Sequence, residues 1–365
     1  MIWGAQRSQG VGAHENHRNQ IRDRPRISQG QNEMKILYIN VIEENVGWGA
    51  ECFVNRGFLR DGHESITLDY RKNRYHLAKH FLSIEKDIDV LFLQRGDGFP
   101  LELLEAVNRP RIFWASELVA RNRDQDRLLR SGLFDHIFVR THTCKNVLVK
   151  KGWVSAENVS ILLSGFDEVV QYPMPLACKD IDVLFVGSVT PRRRIWLDHL
   201  KKEFRIVEAN AFGTEMTTLL NRGKIILNIH AEDFIDTETR VFEALGCRSF
   251  LITEKLSKEN PFISEAHLVE TDDLSQMAEK IDYYLRNDDE RDKIAACGHQ
   301  EALVKHTYTK RAEEIVNLFS KYIKPSSQPP IHIRKVKAYA KKELIIKNSQ
   351  RLKQAFSGAL KRIVP

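Results

Sequence analysis

Short apolar runs separated by polar, glycine-containing turns recur along most of the chain. Lys35 to Val41 reads as a first strand and Ser65 to Leu68 as a second. The helix between them has apolar positions Ala50, Phe53, Val54 and Phe58. Ile88 to Leu93, Arg111 to Trp114, His136 to Val139 and Val159 to Leu162 predict further strands. Helical spacing falls between them, around Leu101–Val107, Asp124–Ser131 and Thr143–Lys150. Strand and helix in alternation predict a parallel sheet with helices on both faces. Ser164 to Asp180 carries Gly165, Pro173 and Pro175 and has no period. The strand pattern restarts at Ile181–Val186 and continues through Arg205–Val207, Ile225–Ile229, Ser249–Thr253 and His267–Val269, with helices over 191–200, 275–286 and 289–304. The expected architecture is α/β: two Rossmann-type, doubly wound domains at 34–165 and 181–325, joined by a linker at 166–180.

Lys224 to Thr253 is the most informative stretch. Ile225 to Ile229 suits a buried parallel strand. A polar loop from His230 to Thr237 follows, and Asp236 or Thr237 is placed to cap the next helix. Val241, Phe242 and Leu245 form that helix's apolar face, with Arg240 and Glu243 roughly opposite. Spacing leaves two readings of this pair open. One is an i,i+3 surface ion pair, worth a few tenths of a kcal/mol. The other is a carboxylate that accepts the two hydroxyls of a ribose, with an arginine nearby for phosphate.

A second cluster follows Val186. Gly187-Ser188 forms a small-residue turn, and Pro191-Arg192-Arg193-Arg194 starts a helix. Three cations at a helix N-terminus oppose the helix dipole, so they call for a reason, and a pyrophosphate supplies one. Polar residues also cluster after successive strands of the first half: Gln94, Arg95 and Asp97, then Ser116 and Glu117, then Arg140 and His142. They read as the wall of a cleft.

Leu227, Asn228, His230, Arg240, Phe242, Glu243, Ala244 and Gly246 resemble the sugar-nucleotide-binding segment of GT-B glycosyltransferases, and most of all the CgeB-like and group 1 families. The resemblance covers roughly 35–325 and is strongest at 181–315. It implies two domains facing across a cleft, with a nucleotide sugar as co-substrate, no other cofactor, and transfer to an acceptor hydroxyl on a glycan, protein or lipid carrier. It places ribose on Glu243, diphosphate on Arg193, Arg194 and Arg240, and close backbone approach at Gly187 and Ser188. His230 and Glu238 join the donor-binding set. Where many group 1 enzymes carry a second glutamate, eight residues before Glu243, this chain has Ile235; Glu232 and Glu238 are the nearby substitutes. If the reaction inverts configuration it needs a general base, for which Asp97 and Glu117 are the candidates. If it retains configuration it needs none.

Two other readings remain. Gly47, Gly49 and Asp69 suit a nicotinamide-dependent oxidoreductase, although Cys52 stands where the third glycine belongs. The Ile235 departure suits a non-catalytic sugar-nucleotide or glycan-binding module. The pairs Asp87/Asp89 and Asp180/Asp182 precede strands and read as strand starts. No histidine spacing indicates a metal site.

Charge is unevenly distributed. The chain carries +7 overall, but residues 331–365 hold ten Lys/Arg and one acid, and residues 1–33 hold five arginines and three acids. Removing both ends leaves −4 for residues 34–330, which argues against nucleic acid as a partner. The five scattered cysteines suit free thiols in a cytoplasmic setting. Residues 1–33 lack periodicity and an apolar core, and read as a disordered extension without a signal peptide. In the tail, Val336, Tyr339, Ala340, Leu344 and Ile345 recur at helical spacing among lysines. Such a helix either packs its stripe back on the first domain or lies on an anionic membrane at the inner face. The Ser326–Pro330 break, which would detach it, favours the membrane.

Overall fold

The structure is a computed structural model that describes residues 33–43, 48–84, 87–117, 119, 125–175 and 178–363, with side chains up to 353. The predicted extension 1–33 therefore lies almost wholly outside the described residues, as does Gly47 of the oxidoreductase reading. Asp69 of that reading is buried, and its Oδ1 accepts the backbone N–H groups of Arg71 and Lys72, closing its own turn.

The first sheet contains β1 (Lys35–Asn40), β2 (Glu64–Asp69), β3 (Val90–Gln94), β4 (Arg111–Trp114), β5 (His136–Val139) and β6 (Val159–Ile161). The second contains β7 (Ile181–Val186), β8 (Ile206–Ala209), β9 (Gly223–Asn228), β10 (Phe250–Glu254) and β11 (Val269–Thr271). Their orders are β2-β1-β3-β4-β5-β6 and β11-β10-β9-β7-β8, with every pairing parallel. The inner strands, such as β3, β7 and β9, are largely continuous apolar runs because both faces of each sheet are covered, whereas the edge strands β2, β6, β8 and β11 are mixed. The expected pair of doubly wound α/β domains is therefore present.

The first domain carries α1 (Ala50–Arg60), α2 (Leu77–Leu82), α3 (Leu101–Leu104), α4 (Asp126–Leu129) and α5 (His142–Lys150). The second carries α6 (Pro191–Leu200), α7 (Gly213–Arg222), α8 (Thr239–Gly246), α9 (Leu274–Arg286) and α10 (Asp288–Lys305). Two last helices, α11 (Tyr308–Tyr322) and α12 (Ile333–Ile363), return to the first domain. Tyr308, Ala312, Ile315, Val316 and Phe319 of α11 join the core formed by Tyr38, Phe58 and Phe92. Gly57 permits the close approach: a Cβ there would stand 2.5 Å from the Ala312 Cβ and 2.9 Å from the Tyr308 carbonyl oxygen.

On the opposite face of the same sheet, Ile331, Val336 and Tyr339 enter the core around Phe99 and Leu103. The Ser326–Pro330 break does not detach the tail. Asn108 donates from its backbone N–H to the Pro330 carbonyl (2.8 Å) and from Nδ2 to that of Pro329 (2.9 Å), and His332 N–H reaches the Ala106 carbonyl (2.7 Å). The buried Glu343 carboxylate accepts the first N–H groups of α2, from Leu77 (2.7 Å) and Ala78 (3.3 Å). The first half of α12 is thus a domain component. Beyond Glu343, Leu344, Ile345, Ile346 and Leu352 stay exposed. Among the described residues no helix is long and apolar enough to cross a membrane.

The four paired aspartates lie at strand starts, as their spacing suggests. Asp87 binds Arg109, Asp89 accepts the Lys35 N–H, Asp180 binds Arg222 and Asp182 binds Lys224.

Gly57→Ala tests the closure by α11. Helix propensity alone would favour alanine by about 1 kcal/mol. The overlap with Ala312 and the Tyr308 carbonyl opposes it by roughly 1–3 kcal/mol, so a lower thermal midpoint is expected. An unchanged or raised midpoint would show that α11 is free to shift.

Candidate active site

In an open parallel sheet the crevice above the strand ends opens where the strand order reverses. In the second sheet that point lies between β7 and β9, and in the first between β1 and β3. A cavity of about 360 Å³ lies between the domains there. The second domain contributes Gly187 and Ser188 after β7, Asn228 at the end of β9, Phe212, Gly213 and Met216 at the start of α7, and Asp236, Glu238, Arg240 and Glu243 around the start of α8. The first domain contributes Trp48, Gly49, Phe53 and Arg140.

Gly187 has φ 150, a backbone conformation that side-chain-bearing residues rarely adopt. It opens the turn beneath Arg193. The Thr190 hydroxyl caps α6 by accepting the Arg193 N–H (3.4 Å). Arg193 then reaches three segments: Nε to the Ile229 carbonyl (2.7 Å), one terminal nitrogen to the Ser188 carbonyl (3.0 Å), and the other to Glu238 Oε2 (2.9 Å). Its guanidinium also lies over the Phe185 ring, 5.4 Å from the centroid.

The three arginines of the triplet therefore have separate tasks. Arg192 makes a two-bond contact with Glu254 (2.8 and 2.5 Å) and holds the His230 carbonyl (3.1 Å). Arg194, expected at the diphosphate, turns outward to Glu208 and Asp198 and does not line the cavity. Each cation meets a carboxylate, which offsets the unfavourable dipole.

His230 is buried and stands behind the site. Its Nε2 bonds with the Lys255 carbonyl oxygen (2.9 Å), and Nδ1 lies 3.9 Å from Glu238 Oε1. Burial acts to lower its pKa, but the Glu238 and Lys255 contacts win and hold it above its ordinary value of 6.5. Burial likewise pushes Glu238 up, and His230 with the Arg193 charge outweighs it, leaving that carboxyl below its ordinary range. Of the substitutes for the missing glutamate, Glu238 lines the cavity and Glu232 does not. Ile235 is 56% exposed.

Arg240 and Glu243 are at once an ion pair (2.9 Å) and cavity residues. The expected caps of α8 act elsewhere. Asp236 binds Arg140 across the cleft (2.6 Å), and Thr237 bonds with the Ser257 hydroxyl (2.8 Å), so the helix begins only at Thr239.

Asp97 and Glu117 do not line the cavity. Asp97 accepts from Arg71 and from the Tyr70 hydroxyl, both at 2.7 Å. Burial raises its pKa, and the Arg71 and Tyr70 hydrogen bonds override that and hold it below the usual range. Glu117 pairs with Arg95 (3.4 Å), which also binds the buried Glu51. Pattern reading had no place for the aromatic rim. Phe212 and Gly213 open α7, a helix that was not anticipated. The apolar spacing of Met216 and Leu220 was its available signal. At Gly213 (φ 56) a Cβ would meet the Trp48 ring at 2.6 Å, so this glycine admits the first domain's tryptophan. Among the described residues no cluster of three or more His, Cys, Asp or Glu is arranged to hold a metal.

Residues 176–317 match the family model described as glycosyl transferase-like. An uncharacterized protein of Acanthamoeba polyphaga mimivirus is 27% identical over 149 residues, which are 38% of this chain and 52% of that protein. The chain thus aligns with about half the length of that relative. Among solved structures, sucrose-phosphate synthase from Thermosynechococcus elongatus superposes with a TM-score of 0.60 at 10% identity, covering 79% of this chain and 99% of that one. Anabaena HepE in complex with UDP and glucose gives 0.57 at 12% identity, covering 79% and 100%. A glycosyltransferase from Rickettsia africae gives 0.54 at 10%, covering 81% and 100%. These likenesses establish the GT-B fold.

The His230–Glu238 contact predicts a pH signature. A histidine whose folded pKa is raised contributes stability that is complete below 6.5 and is lost as pH rises through the raised value. His230→Asn should therefore lower the thermal midpoint most near pH 6, by roughly 1 kcal/mol in stability, and by less at pH 9. A difference that grows with pH would contradict the assignment.

Proposed function

We propose that the protein transfers a glycosyl group from a nucleotide-activated donor to an acceptor hydroxyl, a reading supported by its GT-B fold and by the match of residues 176–317 to the glycosyl transferase-like family model. The observation that carries this is one interdomain cavity lined together by Gly187, Ser188, Arg193, Glu238, Arg240 and Glu243. Glu243 accepts the ribose hydroxyls. When it does so, Arg240 is released from the ion pair and turns to the diphosphate. Arg193, fixed by three segments, stabilises the charge that develops on the departing diphosphate. Glu238, oriented by His230 and Arg193, faces the donor sugar. These cations supply the leaving-group stabilisation without a metal. Since HepE was solved with UDP and glucose, UDP-glucose is the first donor to try.

Among the described residues the carboxylates lining the cavity are Asp236, Glu238 and Glu243, each in an ion pair. Asp97 and Glu117 stand outside it. This supports transfer with retention of configuration, in which no protein carboxylate serves as base at the acceptor.

We place the enzyme in the cytoplasm, with the far half of α12 against an anionic membrane and a lipid-linked acceptor within reach. Leu344, Ile345, Ile346 and Leu352 are exposed beside Lys341, Lys347, Arg351 and Lys353, a combination suited to an anionic lipid surface.

Calorimetric titration of a panel of nucleoside diphosphates tests the donor site. Glu243→Ala should weaken the tightest of them about tenfold, and equal affinity would remove the ribose assignment. Arg193→Ala should lower kcat about a hundredfold with a smaller change in KM, whereas Arg194→Ala should leave kcat within about twofold. Equal losses in both would reverse the division of tasks within the triplet. Turnover should survive EDTA, and a requirement for added metal would overturn the metal-independent reading.

For the tail, full-length protein should co-sediment with anionic vesicles at low salt, and the double variants Ile345→Ser/Ile346→Ser and Lys347→Glu/Arg351→Glu should not. Binding that both variants retain would exclude this surface.

A further inference from the structure

The cavity lining is electrically balanced. Arg140, Arg193 and Arg240 are paired one-to-one with Asp236, Glu238 and Glu243. A diphosphate brings about two negative charges and is held more strongly by excess cations, which these pairs supply when they open. The three are not equally able to do so. Arg193 is fixed by two carbonyls, an aromatic ring and Glu238. Arg240 and Glu243 lie one turn apart on α8 and separate when a ribose takes Glu243. The third pair differs in kind. Arg140 follows β5 in the first domain, and Asp236 stands in the loop before α8 in the second. One nitrogen of Arg140 makes both the Asp236 contact (2.6 Å) and the one to the Thr237 carbonyl (3.3 Å).

We propose that Arg140 is a diphosphate-binding residue for which Asp236 and the donor compete. Asp236 holds the guanidinium at the cavity wall, and the diphosphate takes it over. Because Arg193 holds the same diphosphate from the second domain, the exchange replaces a protein–protein bridge across the cleft by one that runs through the substrate. Donor binding is thereby coupled to the relative position of the two domains. Asp236, two residues before Glu238, is left to solvent or to the sugar hydroxyls. The inference rests on the donor reading above for what enters the cavity, but the competition itself concerns only the diphosphate moiety.

Inorganic pyrophosphate, which has neither ribose nor sugar, is therefore the probe, titrated by calorimetry into the full chain. Asp236→Asn removes the competitor and should tighten pyrophosphate at least threefold. Arg140→Ala removes the ligand group and should weaken it roughly tenfold. The double variant should match Arg140→Ala, since Asp236 has nothing to compete for once the arginine is gone. A merely structural ion pair would give weaker binding in both single variants. That result overturns the proposal, as does unchanged affinity in Asp236→Asn or the absence of any pyrophosphate binding to either it or the parent. If Arg140→Ala does not fold, the sign of the Asp236→Asn effect decides alone, with Arg140→Lys as the charge-preserving control that should bind within a few-fold of the parent. Loss of the nucleoside effect of Glu243→Ala with these pyrophosphate responses intact would count against the nucleotide reading and leave the competition standing.

Discussion

The guanidinium of Arg193 joins the parts of the second domain that must keep fixed distances for a cleft to exist. It reaches the turn after β7, the end of β9 and the acid before α8, and it lies over a ring of β7. Two carbonyls and one carboxylate around a planar five-donor group leave little rotational freedom. Its position follows from the residues before it. Gly187 turns the chain sharply, Thr190 caps the helix and Pro191 sets its first turn. A lysine there would keep the charge and lose the geometry.

The balance of charge across the cleft has an energetic side. An unpaired arginine in a partly buried wall would be expensive, and an unpaired carboxylate equally so. Pairing each with the other keeps the wall stable while holding the cations where an anion can claim them. Such pairs add little net stability, because desolvation consumes most of the attraction. A substrate that offers a better acceptor can therefore displace the carboxylate at modest expense.

Much of this was legible in the amino-acid order, and the remainder failed for identifiable reasons. The strands could be read because a parallel sheet covered on both faces demands short continuous apolar runs, and Ile181–Val186 occupies its predicted range. The adjacency of Glu243 and Arg240 was legible because a local helix places them together. The triplet could be located but not resolved. A helix start puts three arginines side by side, and whether Arg193 or Arg194 faces the cavity depends on Glu208, a partner on another strand. Asp236 looked like a cap because Asp before a helix usually is one; its partner is Arg140, nearly a hundred residues earlier in the other domain. Asp97 and Glu117 follow strands of the first domain, yet Arg71, Tyr70 and Arg95 bind them. No spacing rule reports such non-local partners. For the tail, helical spacing is present throughout but its apolar positions differ in fate, since Val336 and Tyr339 enter the core and Glu343 binds backbone N–H groups while Leu344, Ile345, Ile346 and Leu352 stay exposed.

The return of α11 and of the first half of α12 to the first domain has a consequence for how the chain is made. Strands β1 to β6 and helices α1 to α5 leave the ribosome early, but both apolar faces of their sheet stay incompletely covered until residues 308–343 have been synthesised. The second domain is contiguous from β7 through α10 and can complete its core as it emerges. The domain translated first is thus finished last. Until then its sheet is only partly covered, and truncation just after the second domain would leave that domain with its core intact beside an unfinished partner.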